Sequence, residues 1–411
     1  MKVLVIGNVR PGHKALVKMG HQITVLMKKS HGHEPDIKFP YENLMLLDDD
    51  ASFDTYIEIA AALHGRIGFE RMACFNDTYQ EIAALVANKT GISYPHNQTL
   101  VKTLNNKFLT RQCLASKGMD DTPHKLVYSA QELQDFYLTN FAHSQKSMIV
   151  KPLEANASLG VSKVDNLDQL EAAINKLNDL SLAFPVIAEA FLTGKEFSVE
   201  VLSEGGLHLI LGITEKIKDE ETFIELGHVF PAELAEQTKA KIEQYVCNML
   251  DALGVRQGPS HTEIILTDEG PKIVETHARV GGDGIFTLIE LATGVDIYEC
   301  EAKQSCGVPV LEQVKAQQSI KQTAAILFSG LGFEQTVHLS EVHGLEEAKA
   351  LEGIENVSVL KKSGDLLPPM TSSRERTACA MGVAQNQEQA LALCKKALNT
   401  LSYSLSHKST W

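Results

Sequence analysis

The groups best suited to chemistry fall in one stretch, Ile273-Val274-Glu275-Thr276-His277-Ala278-Arg279-Val280-Gly281-Gly282-Asp283-Gly284. Read as a strand, its alternation puts Ile273, Glu275, His277 and Arg279 on one face and Val274, Thr276 and Ala278 on the other. A carboxylate, an imidazole and a guanidinium in a row suit a wall that handles a metal and a phosphate better than they suit a core. The upstream His261-Thr262-Glu263-Ile264-Ile265-Leu266 is also strand-like. The intervening Thr267-Asp268-Glu269-Gly270-Pro271 predicts a three-residue hairpin loop, Asp268 to Gly270, with Gly270 left-handed and Thr267 paired with Pro271. Four steps back along each arm, Glu263 faces Glu275. Directly opposed Cβ atoms lie roughly 5 Å apart, and like charges there repel. A divalent cation shared by both carboxylates removes that cost. Oxygen ligands fit Mg²⁺, which binds through one or two carboxylates plus substrate phosphates. An ordinary hairpin with exposed charges is the alternative; Arg279 and the Gly281-Gly282 pair favour a site.

Other polar groups are placed to join it. The spacing after Gly284 predicts a helix that stops at Gly294, with Asp283 as N-cap and backbone N–H groups free to hold an anion. Residues 104–114 read as one helix closed by Gly118, carrying Lys107 and Arg111 four apart on one face as a basic edge aimed at a polyphosphate. Met148-Ile149-Val150-Lys151-Pro152 is a short strand with one lysine, followed by a small-residue loop from Leu153 to Gly160 that includes Ser158. Such a loop can form an anion nest, although it is not a Walker A sequence. Phe191 and Leu192 end an apolar strand suited to an adenine, and Glu196 beyond it is placed to accept from ribose hydroxyls. His228 stands between a glycine and an apolar run, either structural or functional. Ser372-Ser373-Arg374-Glu375-Arg376 could reach a neighbouring site, but reads better as a charged turn.

These groups need a scaffold, and the chain is long enough for several domains. It has 411 residues, 44% of them hydrophobic, with a mean hydropathy of -0.08, as in a soluble globular protein of two to four domains. A net charge of -14 argues against nucleic acid as a partner, because binders show a basic footprint. No apolar run approaches the ~18 residues of a membrane span. Seven scattered cysteines without a CxxC pair fit reduced thiols in a cytoplasm. Residues 1 to about 98 alternate short strands and helices, which predicts a parallel sheet. Gly7-Asn8-Val9-Arg10-Pro11-Gly12 lacks the dinucleotide spacing, and His31-Gly32-His33-Glu34 reads as a solvated loop.

Taken in order, Lys107, Val150-Lys151-Pro152 with its loop, Glu189-Ala190-Phe191-Leu192 with Glu196, Glu263, and Glu275 through Gly282 resemble the ATP-grasp superfamily of carboxylate–amine ligases. Ile213-Thr214-Glu215-Lys216, the segment Glu225-Leu226-Gly227-His228-Val229-Phe230-Pro231 and the region after residue 310 look most like the bacterial L-amino acid ligase branch. The resemblance implies an α/β (α+β) ATP-grasp fold. Its parts would be an N-terminal Rossmann-like domain (1–100), a central antiparallel domain (101–121 and 193–309), a mobile lid (122–192) and a C-terminal β-rich cap (310–411). It implies ATP contacts from Lys107, Lys151 and Ser158, an adenine hinge at Glu189, Phe191 and Leu192, ribose contact by Glu196, and Mg²⁺, with Mn²⁺ as substitute, on Glu263 and Glu275. Arg279 would steady the transferring phosphoryl group, and His228, His277, Gly281 and Gly282 would meet substrate. Many family members carry asparagine as a further metal ligand where this chain has His277, and imidazole is a poor Mg²⁺ ligand.

The expected activity is therefore ADP-forming ligation of a small carboxylate to an amino acid's amine, by a cytoplasmic enzyme, as a homodimer. A nucleotide-binding sensor or scaffold without ligase activity is the main rival reading. An oxidoreductase using the N-terminal unit is the lesser one.

Overall fold

A computed structural model describes residues 1–144, 146–153, 159–182, 184–330 and 336–406. The chain is mixed α/β, with four sheets among these residues. The first is parallel, in the order Asn43–Leu47, Gln22–Lys28, Lys2–Ile6, Arg71–Ala73. Its two inner strands, Lys2–Ile6 and Gln22–Lys28, carry Val, Leu, Ile and Met runs buried on both faces, with helices Arg10–Lys18, Phe53–Ile67 and Asp77–Thr90 alongside. The edge strand Asn43–Leu47 carries a similar apolar run, Leu44 to Leu47, but most of its residues are exposed.

A second sheet of eight strands positions the chemistry. Its order is Gly270–His277, Gly258–Thr267, Lys195–Glu204, Leu207–Lys218, Glu225–Phe230, Thr323–Ser329, Ala378–Ala384, Ile354–Val359. Every neighbouring pair is antiparallel. Helix Glu236–Leu253 packs on one face through Ile242, Val246, Met249 and Leu250, and helix Ile285–Thr293 packs elsewhere through Leu288 and Ile289. Thr323–Ser329 pairs with Glu225–Phe230, so the region after residue 310 extends this sheet. The same region adds a three-stranded sheet of Leu366–Leu367, Val337–His343 and Ser402–Ser406.

The remaining sheet, His124–Val127, Val186–Ala190, Met148–Pro152 and Ser162–Val164, is antiparallel and carries helices Ala130–Asn140 and Leu167–Asp179 over a core of its own. Helix starts are set locally. The side chains of Ser52, Asn97, Asn106, Ser129, Asn166, Asp296 and Asn386 each accept a first-turn backbone N–H. One such cap corrects the sequence reading. The expected helix at 104–114 is two helices, Gln98–Leu104 and Lys107–Ser116. Asn105 ends the first and Asn106 caps the second, as side-chain hydrogen bonds to the backbone compete with helix continuation. The break puts Lys107 on the opening turn of its helix.

Candidate active site

The arms of the Gly258–Thr267 and Gly270–His277 hairpin meet as Glu263↔Glu275, the register expected from sequence. They reach it by a different route. Thr267 pairs with Gly270, not Pro271, so the turn is one residue shorter than expected. A bulge between Ile264↔Ile273 and Glu263↔Glu275 leaves Val274 unpaired and restores the count. The extra residue also changes side-chain parity. Ile273 does not share the face of Glu275: it is buried with Ala278 in the core under helix Glu236–Leu253. Val274 and Glu275 both line a cleft of about 360 Å³.

That cleft collects most of the expected residues. Lys107, Lys151, Glu189, Phe191, Leu192, Glu196, His228, Glu263, Glu275, Arg279 and Gly282 all line it. Ser158 lies outside the described residues. His277 and Gly281 are absent from the lining. Ile149, Val161, Phe191, Leu192, Phe223, Ile265 and Val274 supply apolar wall at the end nearer the small antiparallel sheet. The Phe191 and Phe223 ring centroids are 6.0 Å apart, and the ammonium of Lys163 lies 4.9 Å from that of Phe191.

The polar wall is a paired network. Lys107 Nζ is 2.8 Å from Glu275 Oε2, and Lys151 Nζ is 2.6 Å from Glu189 Oε1. Arg111, four residues after Lys107, does not reach the cleft. It is buried, 2.7 Å from both Glu189 and Asp120, and donates to the Ile273 carbonyl. The Glu189 carboxylate, expected along an adenine hinge, is thus held between Lys151 and Arg111. Burial lowers the Lys151 pKa despite Glu189, while Glu189 is itself held below the usual carboxylate range because Arg111 and Lys151 outweigh its burial.

Lys216 was given no role from sequence, yet its ammonium anchors the floor. Nζ lies 2.8 Å from Glu196, 2.6 Å from Glu225 and 2.7 Å from Glu263. Burial disfavours this ammonium, but the three carboxylates raise its pKa well above the ordinary value. Lys218 adds a second cation to Glu196. The signal for this was the alternation of Lys216 and Lys218 on a strand, readable only once Glu196, Glu225 and Glu263 were known to be neighbours. His261, paired across the sheet with Glu200, has Nδ1 2.5 Å from Glu200 Oε1 and Nε2 3.3 Å from Glu263 Oε1. Burial opposes its protonation, but Glu200 and Glu263 lift it to about 10.

The residues present fit a divalent cation at Glu263 and Glu275. Burial resists ionising Glu263, yet Lys216 and His261 keep it well below the usual carboxylate range. It spends only Oε1 on them, so Oε2 has no partner among the described residues. Glu275 is likewise held ionised, by Lys107 and His277 against its burial. His277 is held between two acids. Its Nε2 lies 3.2 Å from Glu275 Oε1 and its Nδ1 3.5 Å from Asp77 Oδ2, and these acids raise its pKa against burial. Asp77, at the start of its helix, also accepts from Arg279 Nε at 2.5 Å, fixing a guanidinium that lines the cleft. Gly281 has a packing reason: a Cβ there would sit 2.9 Å from Glu200 Oε2 and from His261 Nδ1.

At the far end stands His228, fully buried, with neither ring nitrogen hydrogen-bonded. Its Nε2 is 3.6 Å from Asp283 Oδ2 and 3.7 Å from Glu225 Oε2. Asp283 is not a helix cap: the cap is Gly284, and Asp283 adopts a left-handed φ of 50°. Its carboxylate accepts instead from Arg376 NH1 at 2.7 Å. Nor does the helix start offer all its N–H groups to an anion, because Ile285 N and Thr287 N donate to Gly282 and Gly284 carbonyls. The segment at 372–376 is more than a charged turn. Ser373 lines the cleft, and Arg376 is buried over the Phe328 ring, 3.9 Å from its centroid, donating to the Glu225 carbonyl. Sequence distance hid this, since Arg376 lies 93 residues from Asp283.

Two family models match the chain: an ATP-grasp domain over residues 144–287 and L-amino acid ligase C-terminal domain 2 over residues 334–406. A D-alanine–D-alanine ligase of Flavobacterium psychrophilum is 34% identical over 143 residues, 32% of this chain and 42% of that protein. An alanine–anticapsin ligase of Bacillus subtilis is 26% identical over 175 residues, 37% of each protein. The chain thus spans less than two thirds of either relative's length. The solved structure of an L-amino acid ligase from Bacillus licheniformis covers 99% of both chains with a TM-score of 0.83 at 20% identity. That likeness shows a shared fold. No helix among the described residues is long and apolar enough to cross a membrane.

Proposed function

Because the chain belongs to the ATP-grasp ligases and carries an L-amino acid ligase C-terminal domain, we propose that it joins an amino acid or related acid to an amino acid's amine, with ATP cleaved to ADP and phosphate. One observation carries this reading. The opposed Glu263 and Glu275 face the same cleft as Lys107, Lys151 and Arg279, with His228, Asp283 and Ser373 at its other end. A magnesium ion held by Glu263 and Glu275 would neutralise charge on the nucleotide's phosphates.

The chain's own groups do the rest. The apolar stretch with Phe191, Leu192 and Phe223 takes the base, and Glu196 is positioned to accept from the ribose. Lys107 and Lys151 exchange a carboxylate partner for phosphate oxygens. Phosphoryl transfer asks mainly for positioning and charge neutralisation, which matches a cleft rich in Lys, Arg and Glu. The substrate carboxylate attacks the γ-phosphate beside Arg279, whose angle is set by Asp77. The incoming amine attacks the resulting acyl phosphate, forming the amide bond as phosphate leaves. Glu225 and Asp283 suit an amino group, and the unpartnered nitrogens of His228 call for a polar group of the substrate. Closure of the small antiparallel sheet over the cleft would keep water from the acyl phosphate.

The test is phosphate release screened over pairs of amino acids, with mass spectrometry of the products. Release that requires two substrates and yields their amide supports the reading. ATP binding with no pair able to stimulate release would refute it in favour of a sensor.

A further inference from the structure

We propose that a second cavity, at the junction of the N-terminal sheet with the far end of the large sheet, binds a zwitterion of the free α-amino acid class. This cavity, of about 340 Å³, is lined by Arg71, Ser93, Glu204, Gln257, Gln304 and Ser305 among others. It is remote from the first. Glu204 and the cleft residue Glu196 sit on one strand, Lys195–Glu204, eight residues apart, which is roughly 25 Å of extended chain.

Two opposite charges line the cavity without neutralising one another. No carboxylate pairs with Arg71 among the described residues; its one recorded hydrogen bond goes from NH1 to the Glu70 carbonyl. Glu204 accepts the Val310 N–H on Oε2 at 2.7 Å and meets no cation among the described residues. An unpaired guanidinium and an unpaired carboxylate around one small space match a carboxylate and an ammonium on one ligand. A simple anion would meet Glu204 repulsively, and a simple cation would meet Arg71.

The backbone keeps the place open. Gly307 has φ 78°, and a Cβ there would lie 3.1 Å from Arg71 NH2. A side chain at 307 would therefore press on the guanidinium, and in its absence that face of the group stays uncovered. Gln304 belongs to the wall itself. It is 6% exposed, its Nε2 donates to the Ser203 carbonyl at 2.9 Å, and its buried Oε1 has no partner. This amide fixes the cavity wall to the end of the strand that carries Glu204. Helix Ile297–Ser305 and the strand ending at Glu204 both run from this cavity into the body that carries the cleft.

This inference does not depend on ligation. The experiment is hydrogen exchange on the full chain without ATP, with each of the common L-amino acids and a set of dipeptides as probes. The expected result is protection of residues 69–73 and 303–310 by at least one zwitterion. Binding should weaken at least tenfold in Arg71→Met and in Glu204→Gln, and less in Arg71→Lys. Both charge-removing variants should melt with the parent and keep its amino-acid-stimulated phosphate release. Dipeptides protecting better than single residues would name a product-like ligand and still support the site. Protection confined to residues 225–230 and 281–285 would overturn it. So would acetate or inorganic phosphate binding equally well with no response to Glu204→Gln. If no amino-acid pair releases phosphate but residues 303–310 are still protected, the function above fails and this site stands.

Discussion

Replacing Lys216 by methionine should turn a buried cation's seat into a cation-binding site. The ammonium touches three carboxylates at 2.6 to 2.8 Å and its side chain is 1% exposed. With it gone, ligand oxygens of Glu196, Glu225 and Glu263 remain within 4.8 Å of one another. At an effective dielectric near 20, each like-charged pair at that distance repels by roughly 3 kcal/mol. Part of this is relieved, because Lys218 still meets Glu196, His261 meets Glu263 and Arg376 meets Glu225. The net cost should then fall near the 3–5 kcal/mol typical of removing one partner from a buried pair, or roughly 3–6 °C in the melting temperature of a chain this long. The assay is thermal melting of parent and variant in chelator and in millimolar Mn²⁺. The variant should melt lower in chelator and recover much of the loss with Mn²⁺, gaining more from the metal than the parent does. A variant that melts with the parent, or that ignores the metal, would refute the claim that Lys216 holds these acids together.

Other consequences are as direct. Arg376→Met removes the charged partner of Asp283 and Glu225, and should raise the KM for one amino acid by roughly ten- to a hundredfold while leaving ATP binding near the parent value, by calorimetry. Gly281→Ala drives a methyl against the Glu200–His261 pair and should cost about 1–3 kcal/mol in denaturant melts; Gly282→Ala, with nothing within 4 Å of its added Cβ, should cost much less. Acid should destabilise the N-terminal half. Burial holds His13 and His96 at about 4, against an ordinary 6.5, with Arg10 adding to the shift at His13. The unfolded chain therefore binds the extra protons, and stability present above pH 6.5 is lost as pH falls toward 4, by up to about 3 kcal/mol per group. His96→Phe should flatten that slope in melts between pH 7 and 4.5; an unchanged slope would contradict it.

What could be read from sequence follows from how far each signal reaches. The pairing of Glu263 with Glu275 was legible because one short turn fixes both arms, and two errors of one residue, a shorter turn and a bulge, cancelled. Face assignment did not survive, since the same bulge moved Ile273 to the opposite side. The parallel N-terminal strands were legible as apolar runs; Asn43–Leu47 was missed although Leu44 to Leu47 is such a run. Lys107 was found, but the break that starts its helix depended on Asn106 capping, a choice local propensity leaves open. Several partners that tune the site, Asp77, Glu200, Lys216 and Arg376, lie far in sequence from the groups they meet. Their meaning comes from strand order, as when Arg376 reaches Asp283 because Ala378–Ala384 and Thr323–Ser329 continue the sheet.

The most direct test is Mn²⁺ binding followed by electron paramagnetic resonance, with and without ATP, in the parent and in Glu263→Gln and Glu275→Gln. The account predicts tight Mn²⁺ binding that needs the nucleotide and falls by at least an order of magnitude in each variant. Mn²⁺–ATP binding of equal strength in all three proteins would contradict it.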